Sequence, residues 1–154
     1  MKLSSRTDYA LRALFSLVEN YEKNLVSTRQ LAEKNDIPKK FLEQILMELK
    51  SKGWIVSVTG KNGGYRLGKP PGQITMGEII RHFDGILAPI ACVSVTGYKQ
   101  CTQEKTCRFR RLFFDIRNYI AKSMDEATLE SVFQATPVTT EEVFKDELVN
   151  GAGI

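Results

Sequence analysis

Histidine is almost missing from this chain: His82 is the single one in 154 residues. Acid–base catalysis near neutral pH draws most often on histidine, and no nucleophile stands beside a base in a catalytic pattern. The glycine-rich run G-K-N-G-G at 60–64 lacks the G-x-x-x-x-G-K-[ST] spacing that cradles phosphates. These gaps argue against an enzyme. Long apolar runs are missing too. The longest, Ile86–Val93, contains a proline and falls far short of the roughly 20 residues that cross a bilayer. Arg12 interrupts the N-terminal apolar stretch, which offers no cleavage site, so neither a secretory segment nor a membrane partner is expected. Cysteine is scarce and odd in number, three in all. That points to a reducing, cytoplasmic setting rather than a disulfide framework.

What the chain does have is unevenly placed. Residues 1–70 carry 13 Lys/Arg against 7 Asp/Glu, a balance of +6. Residues 71–134 carry 8 and 7, and residues 135–154 carry 1 and 4. A basic front half followed by a near-neutral middle and an acidic tail fits a polyanionic partner for the front half, nucleic acid above all. The three cysteines are gathered as Cys92, Cys101 and Cys107, a C-x8-C-x5-C spacing in a segment too polar to be core. Such a group reads as a ligand set. It is one thiolate short of the four donors that zinc or an iron–sulfur cluster takes.

Hydrophobic periodicity predicts a first helix over 5–21, opened by a capping box of Ser5 and Asp8. Ser27 and Gln30 make a second box ahead of a short helix. Asn35–Asp36 is a turn signal, and Pro38 suits the first position of a third helix, which carries Phe41, Leu42, Ile45, Leu46 and Leu49 to a stop at Gly53. Trp54, Val56 and Val58 alternate as the inward face of a strand, Gly60–Gly64 turns the chain, and Tyr65–Leu67 returns it. Two helices and a tight turn followed by a hairpin make a winged helix-turn-helix. A further helix is expected over 75–84. A long one then runs from Arg108 to about Met124, with Phe109, Leu112, Phe113, Ile116, Ile120 and Met124 in one stripe. That stripe is too apolar to lie exposed and is expected to pair with its copy in a homodimer. Asp125–Phe133 adds a short final helix.

The expected fold is therefore mainly α with a small β-hairpin wing. Residues 1–70 form the DNA-binding domain, and 71–107 a connecting helix and the cysteine-bearing loop. Residues 108–134 form the dimerisation helix and final helix, and 135–154 a mobile tail. In this arrangement Lys39, Lys40, Glu43 and Gln44 stand at the exposed start of the recognition helix. Gln reads adenine, Glu accepts from cytosine, and lysines reach phosphate or guanine. Thr28, Arg29 and Gln30 open the preceding helix, where phosphate is commonly held, and Lys61 and Asn62 sit on the wing tip.

The stretches S-S-R-T-D-Y-A-L-R-A-L, F-L-E-Q-I-L-M-E-L-K-S-K-G-W-I, G-K-N-G-G-Y-R-L-G-K-P and I-T-M-G-E-I-I-R, followed by the clustered cysteines, resemble the winged-helix bacterial regulators typified by IscR and NsrR. The likeness spans residues 1 to about 133. It implies a homodimeric transcription factor on a partly palindromic double-stranded DNA operator. It also implies an iron–sulfur cluster on three cysteines, 2Fe–2S or 4Fe–4S, sensing nitric oxide, redox state or iron–sulfur status. IscR-like proteins place a histidine three residues after the last cysteine, where this chain has Arg110. NsrR-like proteins instead use an aspartate from the partner's first helix, matched here by Asp8. Thr59 stands where relatives often carry arginine, and the gap of eight between the first two cysteines is longer than the typical spacing. Two other readings of the cysteines are a reversible disulfide, favoured by Cys107 beside Arg108 at a helix start, and a structural zinc site.

Overall fold

Capping chemistry and one long-range contact set where the helices begin. The computed structural model describes residues 2–85 and 87–145. The DNA-reading half comprises α1 (Ser5–Glu19), α2 (Thr28–Asn35), α3 (Lys39–Ser51) and a hairpin of β1 (Ile55–Val58) and β2 (Gly64–Leu67). Then come α4 (Met76–Phe83), α5 (Phe109–Glu126), α6 (Leu129–Gln134) and α7 (Thr140–Lys145).

The boxes of α2 (Ser27 with Gln30) and α4 (Thr75 with Glu78) are both closed. The start of α1 differs from expectation by one residue. Ser4, not Ser5, is the N-cap, its Oγ accepting from Thr7 N–H at 3.2 Å. Asp8 takes no part in a box and pairs with Arg12 one turn on, at 2.8 Å. A contact far along the chain explains the choice: Ser4 N–H donates to Asp84 Oδ2 at 3.1 Å, just past the end of α4. Pro38 is likewise the N-cap of α3, with extended ψ of 123°, rather than its first helical residue. The fixed φ of proline suits either position. Gly53, at φ +70°, stops α3 in the left-handed conformation that glycine adopts without strain.

The hairpin pairs Ile55 with Leu67 at its base and Val58 with Gly64 near its tip. The predicted alternation fails. Trp54 and Ile55 are both buried, whereas Val58 is 42% exposed. Burial falls from base to tip because the base rests on the core and the tip overhangs it. The segment ahead of α2 is tied to the hairpin, Val26 and Tyr65 exchanging hydrogen bonds of 3.0 and 2.9 Å. A side chain at Gly64 would collide with the Val26 backbone, at 2.8 Å from its carbonyl oxygen.

Residue 70 does not separate two cores. Ile74, Ile79 and Leu129 belong to the same buried cluster as Leu14, Leu17, Leu31, Leu42, Ile45, Leu46 and Leu49. The expected helix at 125–133 begins only at Leu129, because α5 continues through Glu126 and Thr128 caps α6. The returning chain hydrogen-bonds to the segment before α4: Leu129 N–H to Ile74 O at 2.9 Å, and Met76 N–H to Ala127 O at 2.8 Å. Phe133 stacks on Phe15 of α1.

Helix α5 buries no residue in its own chain. Phe109 is 64% and Leu112 59% exposed, and Phe113, Ile116, Ile120 and Met124 are half-buried. Of the segment expected to be a mobile tail, Thr140–Lys145 is helical, and residues 146–154 lie outside the described residues. Among the described residues no helix is long and apolar enough to cross a membrane.

Candidate functional site

The helix-turn-helix presents its polar side chains outward. Lys39, Lys40, Glu43 and Gln44 are exposed on α3, while Leu42, Ile45, Leu46 and Leu49 are buried on the opposite face. No side chain caps α3, so its first-turn N–H groups remain open to an anion. On α2, Arg29 and Gln30 are exposed and Thr28 half-buried. Gln30 is partly committed: its Oε1 accepts from Ser27 N–H at 2.8 Å, which leaves its amide NH2 for a partner. Arg29 pairs with Glu33 at 2.7 Å on a solvated face. Lys61 and Asn62 are exposed on the wing turn, closed by Gly63 N–H donating to Gly60 O at 3.0 Å.

The cysteine segment lies at the foot of α5. Cys92 sits in a single 3-10 turn, Ala91–Val93, and is half-buried. Cys107 is also half-buried, its N–H donating to Gln103 O at 2.9 Å, and Cys101 is exposed. All three line one pocket of about 410 Å³, with Glu104, Arg108, Phe109 and Arg110 among its other walls. Arg110 crosses this segment. Its Nη2 and Nε donate to Cys92 O at 3.0 and 3.3 Å, and it forms an ion pair with Glu104. Glu104 in turn accepts from the Tyr98 hydroxyl at 2.6 Å. That hydrogen bond pushes the Tyr98 phenol above its usual pKa. The same bond, aided by Arg110 and opposed by desolvation, holds the Glu104 carboxyl below its usual range.

Three thiolates facing one pocket are the donor chemistry that an iron–sulfur cluster or zinc takes. A complete cage is a different matter. Among the described residues no three Cys, His, Asp or Glu side chains are grouped as a metal needs. The donors therefore fit the group, provided that the segment draws in and a fourth donor comes from outside this pocket. Asp8 does not line the pocket and within its own chain pairs with Arg12. His82 does not line it either. Its ring packs edge-on against Trp54 and Phe83, with Nε2 3.4 Å from Glu48 Oε2 but without a hydrogen bond.

Sequence reasoning missed the Tyr98–Glu104–Arg110 network, for which no helical or strand period gives a signal. It also missed the ion pair of Arg6 with Glu48, which ties α1 to α3, and the contact between Ser4 and Asp84.

Comparison with known proteins agrees with this geometry. The family model Rrf2, described as an iron-dependent transcriptional regulator, matches residues 3–135. An rrf2-like HTH-type transcriptional regulator of Rhodobacter capsulatus is 32% identical over 86% of this chain and 93% of its own length. The HTH-type transcriptional regulator NsrR of Bacillus licheniformis is also 32% identical, over 86% of this chain and 92% of its own. Among solved structures, CymR, the global cysteine regulator of Bacillus subtilis, superposes with a TM-score of 0.76 at 28% identity, covering 89% of this chain and 99% of that one. A winged helix with this topology, relatives that are regulators rather than enzymes, and a family match over nearly the whole described chain lead to one conclusion: the protein belongs to the Rrf2 family of DNA-binding transcriptional regulators.

Proposed function

We propose that this regulator acts as a homodimer on a partly palindromic DNA operator and that an iron–sulfur cluster on Cys92, Cys101 and Cys107 controls its affinity. The observation that carries the reading is the pocket at the foot of α5 shared by all three thiols. Lys39, Lys40, Glu43 and Gln44 enter the major groove. Thr28, Arg29 and Gln30 hold a phosphate, and Lys61 and Asn62 approach the backbone from the wing. Phe109, Leu112, Phe113, Ile116 and Ile120 form the seam with the second subunit. Asp8 from that subunit supplies the fourth donor once it gives up Arg12.

When bound, the cluster supplies redox and ligand-exchange chemistry responsive to nitric oxide, redox state or iron–sulfur status. The chain's own residues carry the consequence to DNA. Asp84, between α4 and the cysteine segment, grips the start of α1, the helix that also bears Asp8. A state that holds Asp8 and one that releases it thus differ in contacts at the DNA-reading half, as any switch requires.

Anaerobically purified protein is expected to be brown and to contain iron and acid-labile sulfide. Asp8→Ala is expected to change both the visible spectrum and operator affinity. Colourless protein without sulfide would sink the cluster, and an Asp8→Ala variant identical to its parent in both readouts would remove Asp8 from the ligand set. A second reading has its own support. Cys101 is exposed, and a structural relative is named a cysteine regulator. On that reading two cysteines form a reversible disulfide and no metal is held. Metal-free protein whose gel shift responds to diamide distinguishes it.

A further inference from the structure

We propose that Arg110 is a positioning residue of the cysteine segment, a clasp that sets where Cys92 and Cys107 stand without any metal. Rooted in the first turn of α5, it touches two separate pieces of that segment at once. Two of its N–H groups meet Cys92 O at 3.0 and 3.3 Å, which pins the 3-10 turn. The same guanidinium pairs with Glu104, inside the turn between Cys101 and Cys107. Glu104 is held from its other side by the Tyr98 hydroxyl at 2.6 Å, and its own N–H donates to Cys101 O at 3.1 Å. The chain Tyr98–Glu104–Arg110–Cys92 therefore closes a loop that otherwise has little to fix it, since Val93 and Ser94 are its only fully buried residues.

Only arginine suits this place. Its planar fork presents five donors and can serve a carbonyl and a carboxylate in different directions, whereas lysine offers a single point charge. With Glu104 side-chain exposure at 17% and Arg110 at 33%, the pair is partly shielded from water, unlike the open pairs on α2 and α5. Cys101 lies outside the clasp, exposed, while Cys92 and Cys107 are half-buried under it. The clasp thus divides the three thiols into one open to solvent and two held back. This deepens the reading of the cysteines as the sensing element and rests on it for its biological meaning, but the geometry stands without a cluster.

The test is site-resolved alkylation of reduced, metal-free, full-length protein with iodoacetamide, each cysteine quantified by peptide mass spectrometry. In the parent, Cys101 is expected to react fastest. Arg110→Ala is expected to speed Cys92 and Cys107 by about tenfold through local opening, leaving Cys101 within about twofold. Arg110→Lys, which retains the charge but not the fork, falls between. Should Arg110→Ala loosen the whole segment and speed all three thiols together, Tyr98→Phe decides. That variant removes one hydroxyl and is expected to speed Cys92 and Cys107 by roughly threefold while Cys101 stays put. Unchanged rates at Cys92 and Cys107 in both variants, or a uniform rise at all three thiols in Tyr98→Phe, overturns the clasp. Iron and sulfide contents of the same variants report on the cluster separately, so the two readings fail independently.

Discussion

Single side chains join the parts of this molecule, and Asp84 is the clearest case. Partial burial works against its charged form. The Ser4 hydroxyl and N–H, the Thr7 hydroxyl and the Arg6 charge outweigh that and hold its carboxyl below the usual aspartate range. A folded pKa below the unfolded value means that the contribution to stability is complete above the unfolded value of about 3.9 and is lost as pH falls through the folded one. Asp84→Asn is therefore expected to cost about 1 kcal/mol at pH 7, read by urea unfolding. The gap from the parent should close below about pH 3; a gap that persists in acid would mean that shape, not charge, joins α4 to α1. The same residue shows why the start of α1 was misread. Ser4 and Ser5 offer identical local chemistry, and the choice falls to a partner eighty positions away. Ser27 with Gln30 and Thr75 with Glu78 were legible because a capping box is complete within four residues.

Among the elements, α5 is the one whose surface does not match its surroundings. It is 18 residues long, about 27 Å, and no residue along it is buried within its own chain. Leu112 sits in the middle of the apolar stripe at 59% exposure. Leu112→Asp is expected to leave the far-UV spectrum of the chain intact while weakening the dimer by about 2 kcal/mol, roughly thirtyfold in its dissociation constant. Sedimentation equilibrium measures this, and an unchanged dimer would place the seam elsewhere. Helix existence was readable here because six apolar residues keep the 3.6 period over the whole element. The hairpin was readable as a hairpin but not in its facing, since Val58 projects beyond the core that buries Ile55. The cysteine segment was readable only as a set of donors. Its backbone has no period, so the meeting of Tyr98, Glu104 and Arg110 depends on turns that composition does not specify.

On the scale of the whole molecule, charge and connectivity divide the work. The excess of cations in residues 1–70 predicts operator affinity that falls linearly on a log–log plot against salt, through counterion release. Lys61→Ala is expected to weaken all DNA sequences alike and to reduce that slope by roughly 1 per subunit, as fluorescence anisotropy across a potassium chloride series would read. A slope indifferent to Lys61 would take the wing off the phosphate backbone. The division at residue 70 drawn from Pro70–Pro71–Gly72 was sound as punctuation but not as a boundary of packing, because a short helix such as α6 carries no signal of which core it joins. That helix has a consequence for how the protein is made. Leu129 fills a fully buried place against the first helix and the residues leading into α4, so the ribosome must deliver nearly the entire chain before the DNA-reading half has its last core residue. A nascent or clipped chain that stops short of α6 carries its recognition helix on an unfinished core. DNA reading, sensing and subunit pairing are therefore released into the cell together, and simple truncation does not yield a regulator that holds its operator without its sensor.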